Sequence, residues 1–204
     1  MMLERVAFFT GTKDEKPNID LACELSESKD TKGIQEIVDG LDHKDKRIAN
    51  DCIKVLYKLG ERSPELIAPY VDTFIRLLKS KNNRLVWGAM TALAIIADLK
   101  ADIIYQNIKV VKDVMVNGSV IAVDQSVTVL AKVCKQNHQY EAELFPTLLD
   151  HLKKCRPKEV AQHAERMSVC VNQGNFKEFQ AVLQARYEDI IHAQQVRVNR
   201  LLKN

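Results

Sequence analysis

Residues 63–100 read SPELIAPYVDTFIRLLKS followed by KNNRLVWGAMTALAIIADLK. Pro64 suits the first position of a helix, which the apolar spacing carries to Lys79. Ser80-Lys81-Asn82-Asn83 is a polar turn, and Arg84 to Leu99 is a second amphipathic helix. Moving this window by 37 residues in either direction lands apolar positions on apolar positions again. The chain is therefore read as a stack of helical hairpins.

The register holds through whole columns. On the first helix of each pair, Ile34, Val71, Ile108 and Phe145 align, as do Ile37, Phe74, Val111 and Leu148, and Leu41, Leu78, Met115 and Leu152. On the second helix, Ile48, Leu85, Ala122 and Val160 align at steps of 37, 37 and 38, and so do Leu59, Ile96, Val133 and Val171. Cys52, Ala89, Ser126 and Ala164 form a column of small residues, which lets neighbouring helices approach closely. A two-helix unit repeating at this length signals an α-solenoid, in which each pair buries its apolar face only by stacking on the next.

The stretches Leu66-Ile67-Ala68-Pro69-Tyr70 through Leu78 and Arg84 through Leu93 resemble HEAT-like or armadillo-like repeats. Pro69 and Pro146 are similar to the proline common in the first helix of HEAT repeats, although they differ in register. The resemblance covers about residues 30–190. It implies an all-α, right-handed superhelix of about four hairpins with a long C-terminal helix. The boundaries expected are 1–29 for an N-terminal cap, 30–174 for the repeats (30–62, 63–100, 101–137 and 138–174) and 175–204 for a capping or extension helix. Asp30 and Asp45 are expected N-caps, and Gly60 an expected helix end.

Composition narrows the class. The 204 residues are 46% hydrophobic but only 6% aromatic, with seven glycines and five prolines, as suits helices packed on aliphatic side chains. A net charge of +3 provides no global field toward nucleic acid or membrane. Five scattered cysteines suit reduced thiols in a cytoplasmic protein better than a disulfide framework. The first residues carry charges within a short apolar run, unlike a signal peptide, and no stretch is apolar enough to span a membrane.

At the two ends the pattern is looser. Leu3, Val6, Phe8 and Phe9 form a short patch, residues 10–16 a loop, and Pro17 opens a helix over the first repeat. From Asn175 to about Lys203 no breaker interrupts the sequence, which predicts one helix of roughly 43 Å at the α-helical rise. Phe176, Tyr187 and Val198, and likewise Phe179, Ile190 and Leu201, recur every 11 residues, a nearly straight stripe. That stripe either folds back on its own chain or docks on a partner or a second copy as a homodimer. Tyr187, Ile190, Val198 and Leu201 are the residues of that surface.

The concave face of such a solenoid is lined by second helices. Opposite the buried column lie Arg47, Asn50 and Lys54, then Arg84, Trp87 and Thr91, then Asp124 and Thr128, then Gln162 and Arg166. Trp87 is the one tryptophan, with Arg84 three residues before it, a pairing frequent at protein-binding hot spots. The expected function is a non-catalytic scaffold that binds a protein on this face or through the C-terminal helix. The alternative is a nucleic-acid binder. Trp87 and Asp124 in one column are similar in outline to the alkylated-base DNA glycosylases of the HEAT-like class. Seven basic residues against five acidic ones near the arc are only a weak excess, however, whereas each phosphate contact needs its own cation. His151, Cys155, His163 and Cys170 are donors spread over one hairpin, and their spacing argues against a convergent tetrahedron. No catalytic residue, metal site or cofactor is expected, for the chain lacks a phosphate loop, a nucleophile elbow and a His/Glu metalloprotease pair.

Overall fold

The computed structural model describes residues 1–11 and 14–203. Thr12 and Lys13 of the expected loop, and Asn204, lie outside the described residues. All regular structure among the described residues is helical. The chain forms two compact units, Met1–Gln125 and Ser126–Asn204.

The first unit opens with α1 (Ala7–Thr10) and α2 (Lys16–Ser28), followed by α3 (Thr31–Asp39) and α4 (Lys46–Arg62). Asp30 caps α3 by accepting from the Lys32 and Gly33 amides, and Asp45 caps α4 by accepting from Arg47. The second hairpin is α5 (Pro64–Ile67), a 3-10 turn over Ala68–Tyr70, α6 (Val71–Leu77) and α7 (Asn83–Ile96). The third has α8 (Ala101–Gln106) and α9 (Ile108–Asn117), then α10 (Val120–Cys134), within whose residue range the first unit ends. Helix α2 packs on α4, α4 on α7 and α6 on α7.

The second unit continues with α11 (His138–Lys154), α12 (Val160–Met167), α13 (Phe176–Ala185) and α14 (His192–Leu201). Asn137 caps α11 through the Tyr140 amide. Helix α12 packs on α11 and α14, and α13 on α11.

Every member of the aligned columns is buried except Ile108 and Val171, which are half-buried. Three local expectations are corrected. The first helix of the second hairpin is not continuous, for it breaks at Pro69, which has no N–H to give the ladder. The third breaks at Asn107, whose Nδ2 donates to the Ile103 carbonyl at 3.0 Å and competes with the helix bond. Pro146 is tolerated inside α11 because Ala142, whose carbonyl loses its partner, is exposed to water. Gly60 does not end α4. It is buried within the helix, where a Cβ would collide with the Cδ1 of Ile67.

The larger correction is at the C-terminus. The single helix expected from Asn175 to Lys203 is two helices, α13 and α14, joined by a 3-10 turn (Tyr187–Asp189) and an extended Ile190. The Arg186 guanidinium donates to the carbonyls of Leu152 (2.8 Å), Lys153 (2.7 Å) and Cys155 (2.9 Å), satisfying the C-terminal end of α11. The turn then buries Ile190 and Val198. Burying two such side chains stabilises by roughly 3–6 kcal/mol, against a few tenths per residue from continuing a helix. Burial wins. Arg197 closes α14 onto α12 with a two-pronged bond to Glu165.

Candidate functional site

The second helices of the first unit carry the predicted face, and α4 and α7 set its geometry. Arg47, at the start of α4, is exposed, pairs with Asp45 at 2.6 Å and lies 4.6 Å over the Phe8 ring. Asn50 is half-buried and accepts from Asn82 Nδ2 at 2.8 Å, linking α4 to the turn before α7. Lys54 follows one turn on, with a side chain only 13% exposed. On α7, Arg84 lies over the Trp87 ring at 5.8 Å, and Thr91 Oγ1 donates to the Trp87 carbonyl at 2.9 Å.

Gly88 explains why the two helices lie so close. A Cβ there would come within 2.7 Å of Ile53 Cγ1, so only glycine permits this approach. It brings Tyr57 of α4 against Trp87 of α7, with ring centroids 5.9 Å apart and a 51° tilt. Lys54 and Lys58 ammonium groups sit 5.2 and 5.7 Å from the Tyr57 ring centroid. Three cations thus surround a two-ring platform.

One carboxylate occupies it. Glu15, ahead of α2, accepts from Lys54 Nζ through one oxygen and from Arg84 Nη2 through the other, each at 2.7 Å. The Lys54 bond, chiefly, and the charges of Lys54 and Arg84 hold the Glu15 carboxyl below the usual carboxylate range. Burial works against the Lys54 charge, yet Glu15 and Tyr57 outweigh it and its pKa is raised. Neither Glu15 nor Tyr57 was among the predicted residues. Tyr57 is signalled by its place three residues after Lys54 on α4. Glu15 has no such signal, being 39 and 69 residues from its partners.

The remaining predicted residues separate. Asp124 is half-buried on α10 in the first unit. In the second unit, Arg166 Nη1 donates to Thr128 Oγ1 at 2.5 Å, and Gln162 is half-buried one turn earlier. Along the C-terminal stripe, Ile190 and Val198 are inside their own unit, while Tyr187 and Leu201 are half-buried. Tyr187 Oη accepts from Asn199 Nδ2 at 2.8 Å, a contact the turn creates.

Of the four donors weighed for metal, three converge. His151 Nε2 lies 3.0 Å from His163 Nδ1, and the ligand atoms of His151, Cys155 and His163 all fall within 4.8 Å of one another. Cys170 instead sits against Cys134, whose hydrogen bond and burial push its thiol pKa up. Cys52 is likewise buried, and its pKa is pushed up to about 12, as expected of an inert core thiol.

No family model and no curated protein matches the sequence. Solved structures do match. A crystal structure of an engineered protein aligns with TM-score 0.65 and 16% identity, covering 99% of this chain and 94% of its own. A designed armadillo repeat protein aligns with TM-score 0.63 and 13% identity, covering 99% and 97%. The chain has an armadillo/HEAT-like helical-repeat fold. A further designed armadillo repeat protein, solved in complex with the peptide (KR)4, aligns at TM-score 0.65 and 13% identity over 99% and 97%. The armadillo side of the likeness also fits the broken first helices at Pro69 and Asn107, since such repeats are built from two or three helices. No helix of the described residues is long and apolar enough to cross a membrane.

Proposed function

We propose that this armadillo-like chain is a non-catalytic protein-interaction scaffold whose α4/α7 face takes an acidic, extended segment of a partner protein. The observation that carries the reading is the Glu15 clamp. The chain's own carboxylate already lies between Lys54 and Arg84 beside the Tyr57–Trp87 platform, in the position an incoming Asp or Glu side chain would take. Aromatic rings flanked by cations recognise a carboxylate-bearing peptide through charge and through its aliphatic stems together. That an armadillo design binds a peptide supports the scaffold reading, although that peptide is basic and this face is cationic.

The nucleic-acid alternative is supported less. Arg47 is paired with Asp45 and Lys58 with Glu61, so displacing Glu15 opens only Lys54 and Arg84, a site for one carboxylate and not the row of cations that a phosphate backbone needs.

Trp87 reports on the face directly. Its fluorescence is followed while an alternating Asp/Glu octapeptide, the (KR)4 peptide and duplex DNA are added in turn. The acidic peptide should bind, and Trp87→Ala (read by peptide anisotropy) and Arg84→Glu should each weaken it at least about tenfold, the loss of one anchor. A response to duplex DNA with steep salt dependence, and none to the acidic peptide, would replace this reading with the nucleic-acid one.

A further inference from the structure

The second unit holds a donor cluster that the scaffold reading does not use. His151 lies in the last turn of α11, Cys155 caps that helix, and His163 is on α12. His163 is fully buried, Cys155 is 9% exposed and His151 is half-buried. The imidazole rings are tilted 40° with centroids 4.9 Å apart, so their facing nitrogens, 3.0 Å apart, aim at common space. In the metal-free chain one imidazole N–H donates to the other ring's lone pair across that distance, and a metal ion would take the place of that proton.

We propose that His151, Cys155 and His163 form a binding site for a late first-row transition-metal ion, Zn(II) by preference, which staples the end of α11 to α12. The donor set selects the class: two imidazoles and one thiolate suit Zn(II) or copper and disfavour the oxygen-seeking Mg(II) and Ca(II). Geometry is close to what tetrahedral zinc needs. With Zn–N of about 2.0–2.1 Å, two bound nitrogens stand about 3.3–3.4 Å apart, so the present pair opens by only a few tenths of an ångström. The His151 and Cys155 spacing of four residues puts both ligands on one face of the helix end, while His163 closes the triangle from the next helix.

Burial pushes the Cys155 thiol pKa up, and Arg186, whose guanidinium binds three carbonyls of the same helix end, works against that shift. A bound metal ion stabilises the thiolate directly. Buried Glu159, held by Arg156, contributes negative charge felt at both Cys155 and His163. The Cys155 thiolate supplies the site's own negative charge, and the Arg156–Glu159 pair nearby is neutral as a pair. Water completes the fourth position. On binding, the Cys155 thiol proton and any proton shared by the two imidazoles pass to solvent, and no oxidation occurs.

The test uses the full chain, stripped with chelator and kept reduced, titrated with Co(II) as the coloured stand-in for zinc. One equivalent should give the intense ligand-field bands of tetrahedral Co(II) and a near-ultraviolet thiolate charge-transfer band, both abolished by one equivalent of Zn(II). Cys155→Ser should remove the charge-transfer band, and His151→Gln should weaken Co(II) binding at least about tenfold. Cys23→Ser, at the half-exposed thiol of the other unit, should change neither. A pale six-coordinate spectrum, or bands that survive in Cys155→Ser or vanish in Cys23→Ser, would overturn the site. X-ray absorption of the unmutated zinc-loaded chain removes any dependence on variant folding. One sulfur at about 2.3 Å with imidazole nitrogens at about 2.0 Å is expected. A shell of nitrogen and oxygen alone would leave a proton, not a metal, between the two histidines.

Discussion

Glu15→Gln should make the α4/α7 face a better receptor. The substitution keeps the length of the side chain and removes the charge that Lys54 and Arg84 hold. Both ion pairs involve a carboxylate that is 47% exposed, so each contributes only roughly 0.5 kcal/mol after solvent screening. Together they keep the clamp closed by about 1 kcal/mol, which leaves the face open about one part in six. A competing acidic peptide gains that factor when the internal carboxylate is neutralised, so its Kd should fall about sixfold. The assay is anisotropy of a labelled Asp/Glu octapeptide at pH 7 and low salt, repeated at high salt, where the gain should shrink with screening. Asp42→Asn is the control. It makes the same change in net charge, but Asp42 pairs with Arg76 rather than with the clamp, and its effect should stay within twofold. Equal or weaker binding by Glu15→Gln would refute the idea that Glu15 occupies the partner's place.

The repeat seam and the C-terminal turn can be tested separately. Phe74 is fully buried in the column shared with Ile37 and Val111, so Phe74→Ala should cost about 3–5 kcal/mol in urea denaturation, whereas exposed Arg76→Ala should cost under about 1. Near-equal costs would mean the column is not a packed seam. Arg186→Met keeps the aliphatic stem but strips three carbonyls of their donor, a loss of about 2–3 kcal/mol, and Arg186→Lys, lacking the fork, should recover only part of it. Full recovery by lysine would show that charge, not the planar fork, holds the turn. Glu141 accepts from Asn172 Nδ2 at 3.0 Å and Asn175 Nδ2 at 2.8 Å, and these bonds, Asn172's first, hold its carboxyl below the usual range. Its stabilising contribution is therefore complete above the ordinary carboxylate pKa of about 4.3 and lost as pH falls through the lower folded value. The side-chain amide NMR signals of Asn172 and Asn175 should titrate with a midpoint below about 4.3, and a midpoint at or above it would contradict the arrangement.

Sequence by itself determined the helical repeat. Ile37, Phe74, Val111 and Leu148 are buried together because periodicity is a local property, and a face that is apolar at helical spacing has nowhere to go but the next face like it. The same pattern identified Trp87 with Arg84 on α7, and Asp30 and Asp45 as caps, since capping is settled within three residues. What periodicity does not carry is the identity of a distant partner. An unbroken run from Asn175 to Lys203 reads as one helix, yet Arg186 is taken by carbonyls more than thirty residues earlier, and Ile190 and Val198 gain more from burial than the helix gains from continuing. Glu15 met Lys54 and Arg84 only once the hairpins had stacked, and His151 met His163 only once α11 and α12 had packed within their own hairpin. Those contacts depend on rotamers and on the distance between packed helices, which in the first unit Gly60 and Gly88 set by having no side chain. Tertiary structure alone decided where the charges meet.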